Sequence, residues 1–167
     1  MSLDKQIILS LGTNLGNKKA NLSAAINLLL DKIDIRKVSK LYRTASLLRD
    51  QQSEYYNICC LGFTKLSEQE LLEFIKSVEL KLGRVKADKW QSRLIDIDII
   101  DYSHQVYHTP NLIIPHQEME KRSFVLFPLK DIMLTYINPV SGKNIDQLIQ
   151  GLGDDLDIKV IGGLKWQ

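Results

Sequence analysis

Apolar residues recur along the chain with two different spacings, and these spacings predict its secondary structure. Runs rich in apolar and β-branched residues predict strands at 7–11, 35–42, 56–63 and 94–100. Two other segments, Leu22–Ile33 and Leu71–Leu82, place apolar residues every three or four positions, as amphipathic helices do. The order strand, helix, strand, strand, helix, strand predicts the α+β class, with a ferredoxin-like βαββαβ core whose helices pack on an antiparallel sheet.

The second predicted helix carries signals at both of its ends. Ser67 precedes it and can accept a hydrogen bond as the N-cap, and Glu70 stands at the capping-box position. Gly83 follows the last apolar residue, where a residue in the left-handed conformation often ends a helix. This helix is therefore expected to lie between Ser67 and Gly83.

The pattern after the last core strand predicts smaller elements. A short hairpin is expected around Val106 and Tyr107, followed by an extended segment, Leu112–Pro115. Further helices are expected near Phe124–Ile132 and Ile145–Leu152. We interpret residues 1–167 as a single domain with a core of about 6–152, and the glycine-containing segment 153–167 as a separable C-terminal tail.

The composition is that of an ordinary globular domain. Of the 167 residues, 44% are apolar and 25% are charged, and the formal net charge is +2. So small a charge gives no strong argument for nucleic-acid or membrane binding, and no apolar run approaches the roughly 20 residues of a transmembrane helix. Cys59 and Cys60 are adjacent in a predicted strand and face opposite sides, so we expect reduced core residues in a cytoplasmic protein.

Two aspartates in the last core strand are the strongest candidates for chemistry. Asp96 and Asp98 are two residues apart, so both side chains should point to one face of the strand, with Ile95, Ile97 and Ile99 on the other. Two neighbouring carboxylates repel each other, and a hard divalent cation such as Mg²⁺ relieves this repulsion. The alternative is a solvated strand face whose acids pair with nearby lysines or arginines.

A basic segment precedes these aspartates. It contains Arg84, Lys86, Lys89 and Arg93, with Trp90 among them. Guanidinium groups bind phosphate oxygens with two parallel hydrogen bonds. Carboxylates for a metal beside cations for phosphate therefore indicate a nucleotide phosphoryl- or diphosphoryl-transfer site.

Tyr55 and Asn57 share one face of a predicted strand and suit a flat heterocycle. The aromatic ring can stack on the heterocycle, and the amide can hydrogen-bond to its edge. The loop that follows the second strand, residues 43–47, could border the same pocket. The alternative is that Tyr55 packs at a sheet edge and Asn57 makes a hydrogen bond at the strand start.

A third candidate segment lies near residue 120. His116 and Arg122 stand six residues apart around a short turn and could both reach phosphates, and Phe124 could add a second stacking surface. A structural hydrogen-bonding role for the histidine is the alternative. The Gly12–Gly16 turn lacks the Lys-Ser/Thr ending of a phosphate-binding P-loop, so we interpret it as a strand-to-helix connection.

In the order and spacing of its motifs, the chain resembles the 6-hydroxymethyl-7,8-dihydropterin pyrophosphokinase family of folate biosynthesis. The resemblance covers almost all of residues 6–152. The matching segments are 11–16, 42–44, 55–57, 79–84, 93–99, 115–116 and 122–124.

The resemblance implies that ATP gives its terminal diphosphate to the hydroxymethyl oxygen of the pterin and leaves as AMP. It makes Asp96 and Asp98 the ligands of two Mg²⁺ ions, and Arg84 and Arg93 the catalytic arginines that steady the phosphates. The implied ATP-binding residues are Glu79, Arg84, Lys86, Trp90, Arg93, Ile99, His116 and Arg122.

The resemblance also implies a pterin pocket and a mobile loop. Thr44, Tyr55, Asn57 and Phe124 match the pterin-binding positions, with the ligand held between the two aromatic rings. The segment that ends at Arg93 matches a lid that closes over ATP. An oligomer is not required by this activity.

Several residues depart from the family pattern. Gln91-Ser92 replaces the usual Gly-Pro before the signature arginine, and Lys86 stands where some relatives have arginine. Ala45-Ser46 follows Thr44 where proline is common. We expect these changes to affect the rate, the lid and the pocket entrance more than the class of activity, because both aspartates and Arg93 are retained.

The main alternative is a non-catalytic ferredoxin-like module that binds a nucleotide or a nucleic acid. A nucleic-acid-binding sheet would need exposed aromatics and a strong positive field. The small net charge and the acidic strand argue against that alternative.

Overall fold

A computed structural model describes residues 4–45, 54–83, 94–154 and 156–166. The strands in these ranges are β1 (Lys5–Thr13), β2 (Asp34–Val38), β3 (Lys40–Thr44), β4 (Tyr55–Thr64), β5 (Asp96–Tyr102), β6 (Tyr107–Thr109), β7 (Leu112–Ile114) and β8 (Ile158–Gly163). The α-helices are α1 (Lys18–Leu29), α2 (Glu68–Lys81), α3 (Ser123–Ile132) and α4 (Ile145–Gln150).

Antiparallel pairing joins six of the strands into one sheet. The order across the sheet is β5-β1-β4-β3-β8, and β2 also pairs with β4. Strand β1 therefore lies between β4 and β5, which brings distant parts of the chain into one register. This arrangement confirms the predicted ferredoxin-like βαββαβ core.

One face of the sheet is covered by α1 and α2. Their apolar stripes pack on alternate residues of β1, β4 and β5. This first core contains Leu9, Leu11, Leu22, Ile26, Leu29, Ile58, Leu71, Ile75, Val78, Ile97 and Ile99. The helices contribute apolar residues spaced three or four positions apart, and the strands contribute apolar residues spaced two apart. The sequence pattern predicted both spacings.

The opposite face is covered by α3 and α4, which gives the molecule three layers. This second core contains Ile8, Cys59, Leu61, Ile100, Val125, Leu126, Leu129, Ile132, Ile145 and Leu148. Cys59 belongs to the second core and Cys60 to the first, so the two thiols lie on opposite faces of β4. Both cysteines are free and buried, as expected for reduced core residues.

The boundaries of α2 agree with the sequence prediction. The Ser67 hydroxyl accepts a hydrogen bond from the backbone N–H of Glu70 at 3.2 Å. Gly83 follows the helix with φ +90°, a backbone conformation that is unfavourable for residues other than glycine.

Three other parts of the fold differ from the prediction. Strand β1 extends through Gly12 to Thr13, so Gly12 lies in the sheet and not in the turn. The predicted strand 35–42 is divided at Ser39, whose hydroxyl accepts the hydrogen bond from the backbone N–H of Cys59 and interrupts the regular ladder. The segment near Tyr107 and the segment at Leu112–Ile114 form one hairpin, β6–β7.

The expectation that residues 153–167 form a separable tail is wrong. Residues 158–163 form β8, which pairs with β3 and extends the central sheet. Ile161, Leu164 and Trp166 pack against the first core. Long-range pairing of this kind leaves little trace in local sequence, because Gly162 and Gly163 mask the strand pattern. Among the described residues, no helix combines the length and apolar character needed to cross a membrane.

A tight turn after β5 yields a prediction about stability. Ser103 and His104 both adopt positive φ, 52° and 57°, and Gln105 N–H donates to Tyr102 C=O at 3.0 Å. Positive φ at both central residues is costly for most side chains, whereas Asn-Gly adopts it readily. Ser103→Asn combined with His104→Gly should therefore raise the free energy of unfolding by about 1 kcal/mol, measured by urea denaturation.

The matched control for this turn is His108→Gly. His108 is an exposed residue of β6 that has no positive φ, so a glycine there should lower stability. An Asn-Gly turn that is less stable than the original would show that the turn side chains contribute more than the backbone conformation does.

Candidate active site

Asp96 and Asp98 lie on the face of β5 that is turned toward α3. They pair with Gly12 and Ser10 of β1, respectively, and their Cα atoms are about 6.7 Å apart by strand geometry. The Asp98 side chain is 41% exposed, so it is accessible from the solvent. Asp96 is partly buried, so the pair lies at the solvent boundary of a strand whose other face is buried.

Glu79 of α2 fixes the backbone between these aspartates. Strand β5 is at one end of the sheet, and its Ile97 N–H donates to the Glu79 carboxylate at 3.2 Å. Glu79 is only 3% exposed. The sequence resemblance implied ATP binding for Glu79, and the structure places its carboxylate against the edge of β5, the strand that carries Asp96 and Asp98.

His116 and Arg122 bracket the Asp98 carboxylate. His116 Nε2 lies 4.0 Å from one carboxylate oxygen, and an Arg122 terminal nitrogen lies 3.9 Å from the other. Two basic groups and one of the predicted metal ligands therefore converge, although they come from different segments of the chain.

The hydrogen bonding of His116 defines what its ring can do. Glu118 N–H donates to Nδ1 at 3.1 Å, so in the neutral ring the proton is on Nε2. Burial lowers the pKa of His116, and the Asp98 carboxylate opposes that shift. The neutral ring already directs an N–H toward Asp98, so His116 can donate to an anion without a positive charge.

The predicted pterin-binding residues lie on the same face of the sheet. Asn57 is buried, and its Nδ2 donates to the Thr44 hydroxyl at 3.2 Å. Tyr55 shares the face of Asn57 by strand alternation. Phe124, in the first turn of α3, packs against the second core on that face, with the Arg122 guanidinium 5.5 Å from its ring centroid. The two aromatic residues are therefore on one side of the sheet.

Of the remaining predicted site residues, Ile99 is described by the structure and the others are not. Ile99 is buried in the first core, on the opposite face from the aspartates, so its side chain is directed away from the candidate site. Arg84, Lys86, Trp90 and Arg93, with the Gln91-Ser92 replacement, lie outside the described residues, so their roles stay predictions.

Two features near the site were not anticipated from the sequence. Asp131 of α3 accepts hydrogen bonds from the Tyr42 hydroxyl at 2.8 Å and from Lys40 N–H at 3.1 Å, which ties α3 to β3. Burial and this hydrogen bond raise the pKa of Tyr42, which stays protonated. The other missed feature is Gly12 within β1, whose only signal is a glycine that interrupts an apolar strand.

The donor chemistry of the aspartate pair fits Mg²⁺. Hard cations of this kind bind through one or two protein carboxylates and complete their coordination with water and substrate phosphates. Within the described ranges, no group of three or more histidine, cysteine or acidic side chains forms a closed metal site. Two carboxylates on an open face suit a metal that is shared with a phosphate ligand.

These features define an α+β domain with an acidic edge strand that faces basic and aromatic side chains. The family model described as 7,8-dihydro-6-hydroxymethylpterin-pyrophosphokinase (HPPK) matches residues 8–134 of the chain. The chain belongs to this family.

Two bacterial relatives named 2-amino-4-hydroxy-6-hydroxymethyldihydropteridine pyrophosphokinase are similar over most of their length. The protein of Synechocystis sp. is 37% identical over 86% of this chain and 74% of its own. The protein of Aquifex aeolicus is 36% identical over 84% of this chain and 88% of its own.

Other relatives are much longer than this chain. The folic acid synthesis protein fol1 of Pneumocystis carinii is 36% identical over 96% of this chain, which spans 22% of that protein. A crystal structure of Plasmodium falciparum HPPK-DHPS superposes with a TM-score of 0.75 at 17% identity, and covers 90% of this chain and 46% of its own. At that identity the superposition shows a shared fold.

The Glu79 contact yields a prediction. Glu79→Ala removes the acceptor of the Ile97 N–H and should lower the free energy of unfolding by about 1–3 kcal/mol, the usual cost of an unpaired buried donor. Glu79→Gln keeps an amide oxygen at the same position and should retain most of the stability. Chemical denaturation of the three proteins measures the difference.

Exposed Glu73 on the same helix supplies the control, since Glu73→Ala should change stability little. If Glu79→Ala were as stable as the parent protein but bound ATP less tightly, Glu79 would act on the nucleotide and not on β5.

Proposed function

We propose that this chain transfers the terminal diphosphate of ATP to 6-hydroxymethyl-7,8-dihydropterin, a step of folate biosynthesis. The hydroxymethyl oxygen bonds to the β-phosphorus, and the bond from that phosphorus to the α–β bridging oxygen breaks. AMP leaves with the electron pair, and the hydroxyl proton passes to the surrounding solvent. The observation that carries the proposal is the family match over residues 8–134, a range that includes every candidate site residue.

Asp96 and Asp98 would hold the metal, with two Mg²⁺ ions expected when ATP is bound. Bound Mg²⁺ would neutralise charge on the triphosphate and orient it for transfer. The protein contributes rigidity here, because strand pairing with β1 and the Glu79 contact fix the backbone on both sides of Ile97. Preorganised groups of this kind need no rearrangement during the reaction.

His116 and Arg122 would bind the phosphates. Both contact Asp98 at about 4 Å, so a triphosphate bound to the aspartate-held metal would come within reach of both donors. Arg84 and Arg93 are proposed as the catalytic arginines, and Lys86 and Trp90 as further ATP-binding residues, on the resemblance alone. For Ile99, the buried side chain leaves only its main chain for any contact with ATP.

Asn57, Thr44, Tyr55 and Phe124 would bind the pterin. Asn57 offers a buried amide held by Thr44, and the two aromatic residues would supply stacking surfaces on the same side of the sheet. A pterin has two flat faces and an edge of donors and acceptors, so rings and an amide together match it.

The direct test is AMP formation that requires the pterin. The protein is incubated with ATP, Mg²⁺ and 6-hydroxymethyl-7,8-dihydropterin, and nucleotides are separated by chromatography. AMP and pterin diphosphate in equal amounts are expected, with little AMP when the pterin is omitted. ATP or RNA binding without turnover would instead support a non-catalytic module. Cytoplasmic location and the lack of a need for oligomerisation stay predictions.

The aspartate pair yields the first functional prediction. Asp96→Asn and Asp98→Asn should each lower kcat/KM by about a hundredfold or more, because each removes a charge that holds the metal-bound triphosphate. The fold should be retained or slightly stabilised, because the substitution removes like-charge repulsion on one strand face. Steady-state kinetics and thermal denaturation measure both effects.

Asp34→Asn is the matched control, since Asp34 is an exposed residue of β2 paired with Arg36. It should leave turnover unchanged. Near-normal Mg²⁺-dependent turnover in both site variants would remove the aspartates from the metal site.

The aromatic pair, Tyr55 and Phe124, yields the second functional prediction. Tyr55→Ala and Phe124→Ala should each weaken pterin binding by about 1–3 kcal/mol, the scale of stacking between an aromatic side chain and a base. Affinity for an ATP analogue with Mg²⁺ should change much less. Titration calorimetry with each ligand gives both values.

Phe74→Ala serves as the comparison, because Phe74 packs on the α1/α2 side of the sheet. It should lower the melting temperature without a selective loss of pterin affinity. If the two site variants behaved like Phe74→Ala, both rings would be packing residues.

A further inference from the structure

A glycine separates the two halves of the proposed site. In β1, Gly12 pairs with Asn57 of β4 on one side and with Asp96 of β5 on the other. Directly paired residues of antiparallel strands point to the same face. The pterin-binding amide and the metal-binding carboxylate therefore stand in one row, about 10 Å apart across two strand spacings, with no side chain between them.

The Asn57 amide occupies the space that a side chain at residue 12 would need. A Cβ at that position would lie 2.7 Å from Asn57 Oδ1, well inside van der Waals contact. The amide cannot easily move aside, because Asn57 is 3% exposed and its Nδ2 is bound to the Thr44 hydroxyl. The backbone of Gly12 is not in the left-handed region, so contact with Asn57 excludes a side chain here.

The amide thus lies across β4, with its two ends directed to the neighbouring strands. Its nitrogen is directed to Thr44 of β3, and its oxygen lies over Gly12 of β1, on the side of Asp96. Along the same face of β1 the side chains become smaller toward the site, from Ile8 through Ser10 to Gly12. Because the side chains become smaller in this order, the amide oxygen can approach the backbone of β1.

We infer that Gly12 is a positioning residue that sets the Asn57 amide for recognition of the pterin edge. The inference rests on the proposed function, because it takes Asn57 as a pterin-binding residue. Gly12 acts through Asn57 and not by contact with the reacting atoms. A side chain at residue 12 would turn the amide out of its plane and break its hydrogen bond to Thr44.

The test compares Gly12→Ala with the unsubstituted protein. Its dissociation constant for the pterin, measured by calorimetry in the presence of Mg²⁺ and a non-hydrolysable ATP analogue, should rise about tenfold or more, the equivalent of one well-placed hydrogen bond to a ligand. Binding of the analogue with Mg²⁺ alone should change less than about twofold, because none of the phosphate-binding groups is displaced. A general loss of structure would weaken both ligands together.

Gly163→Ala is the matched control. Gly163 is also a strand glycine, in β8, and a Cβ there would meet no atom within 4 Å. It should change neither affinity. Asn57→Ala gives a second comparison: if Gly12 acts only through Asn57, then Gly12→Ala should add less than about a twofold effect in the Asn57→Ala background.

The double variant also serves if Gly12→Ala does not fold, since removal of the Asn57 side chain removes the close contact. Unchanged pterin affinity in Gly12→Ala, an equal loss for both ligands, or a further tenfold loss in the double variant would each overturn the inference. Failure of the unsubstituted protein to bind or convert the pterin is a different result, and it would contradict the proposed function itself.

Discussion

The repulsion between two carboxylates on one strand face is the constraint on which the site depends. Asp96 and Asp98 cannot be covered by apolar side chains at low cost, so their end of the α3 side stays open to solvent. Two basic side chains lie beside Asp98: Arg122 offsets its charge, and His116 can donate an N–H to it. Carboxylates beside an arginine and a histidine N–H would suit a metal-bound polyphosphate, which carries charges of both signs.

The sheet makes this arrangement rigid. Strand β1 pairs on both sides, and in doing so it places the pterin half of the proposed site on β4 and the metal half on β5. Glu79 fixes the outer edge of β5, and Asp131 ties α3 to β3. Phosphoryl-type transfer needs positioning more than a reactive protein group, and a sheet held by these contacts at β5 and β3 would supply it.

Local sequence patterns predicted much of the fold, but they did not predict the long-range strand pairing. The ends of α2 could be predicted because Ser67 and Gly83 act on the adjacent turn, and the aspartate face followed from strand alternation. The pairing of β8 with β3 could not be predicted, because the two strands are more than a hundred residues apart in sequence and the glycines of β8 weaken its strand signal. The close approach of Asn57 to Gly12 likewise depends on register, which sequence spacing does not reveal.

A structure of the protein with Mg²⁺, a non-hydrolysable ATP analogue and the pterin tests the proposed site most directly. We expect metal between the triphosphate and the two aspartates, Asp96 and Asp98. The pterin edge should be hydrogen-bonded to Asn57, with its ring between Tyr55 and Phe124. The hydroxymethyl oxygen should then face the β-phosphorus of the nucleotide. Metal bound away from both aspartates, or a pterin bound on the α1/α2 side of the sheet, would contradict it.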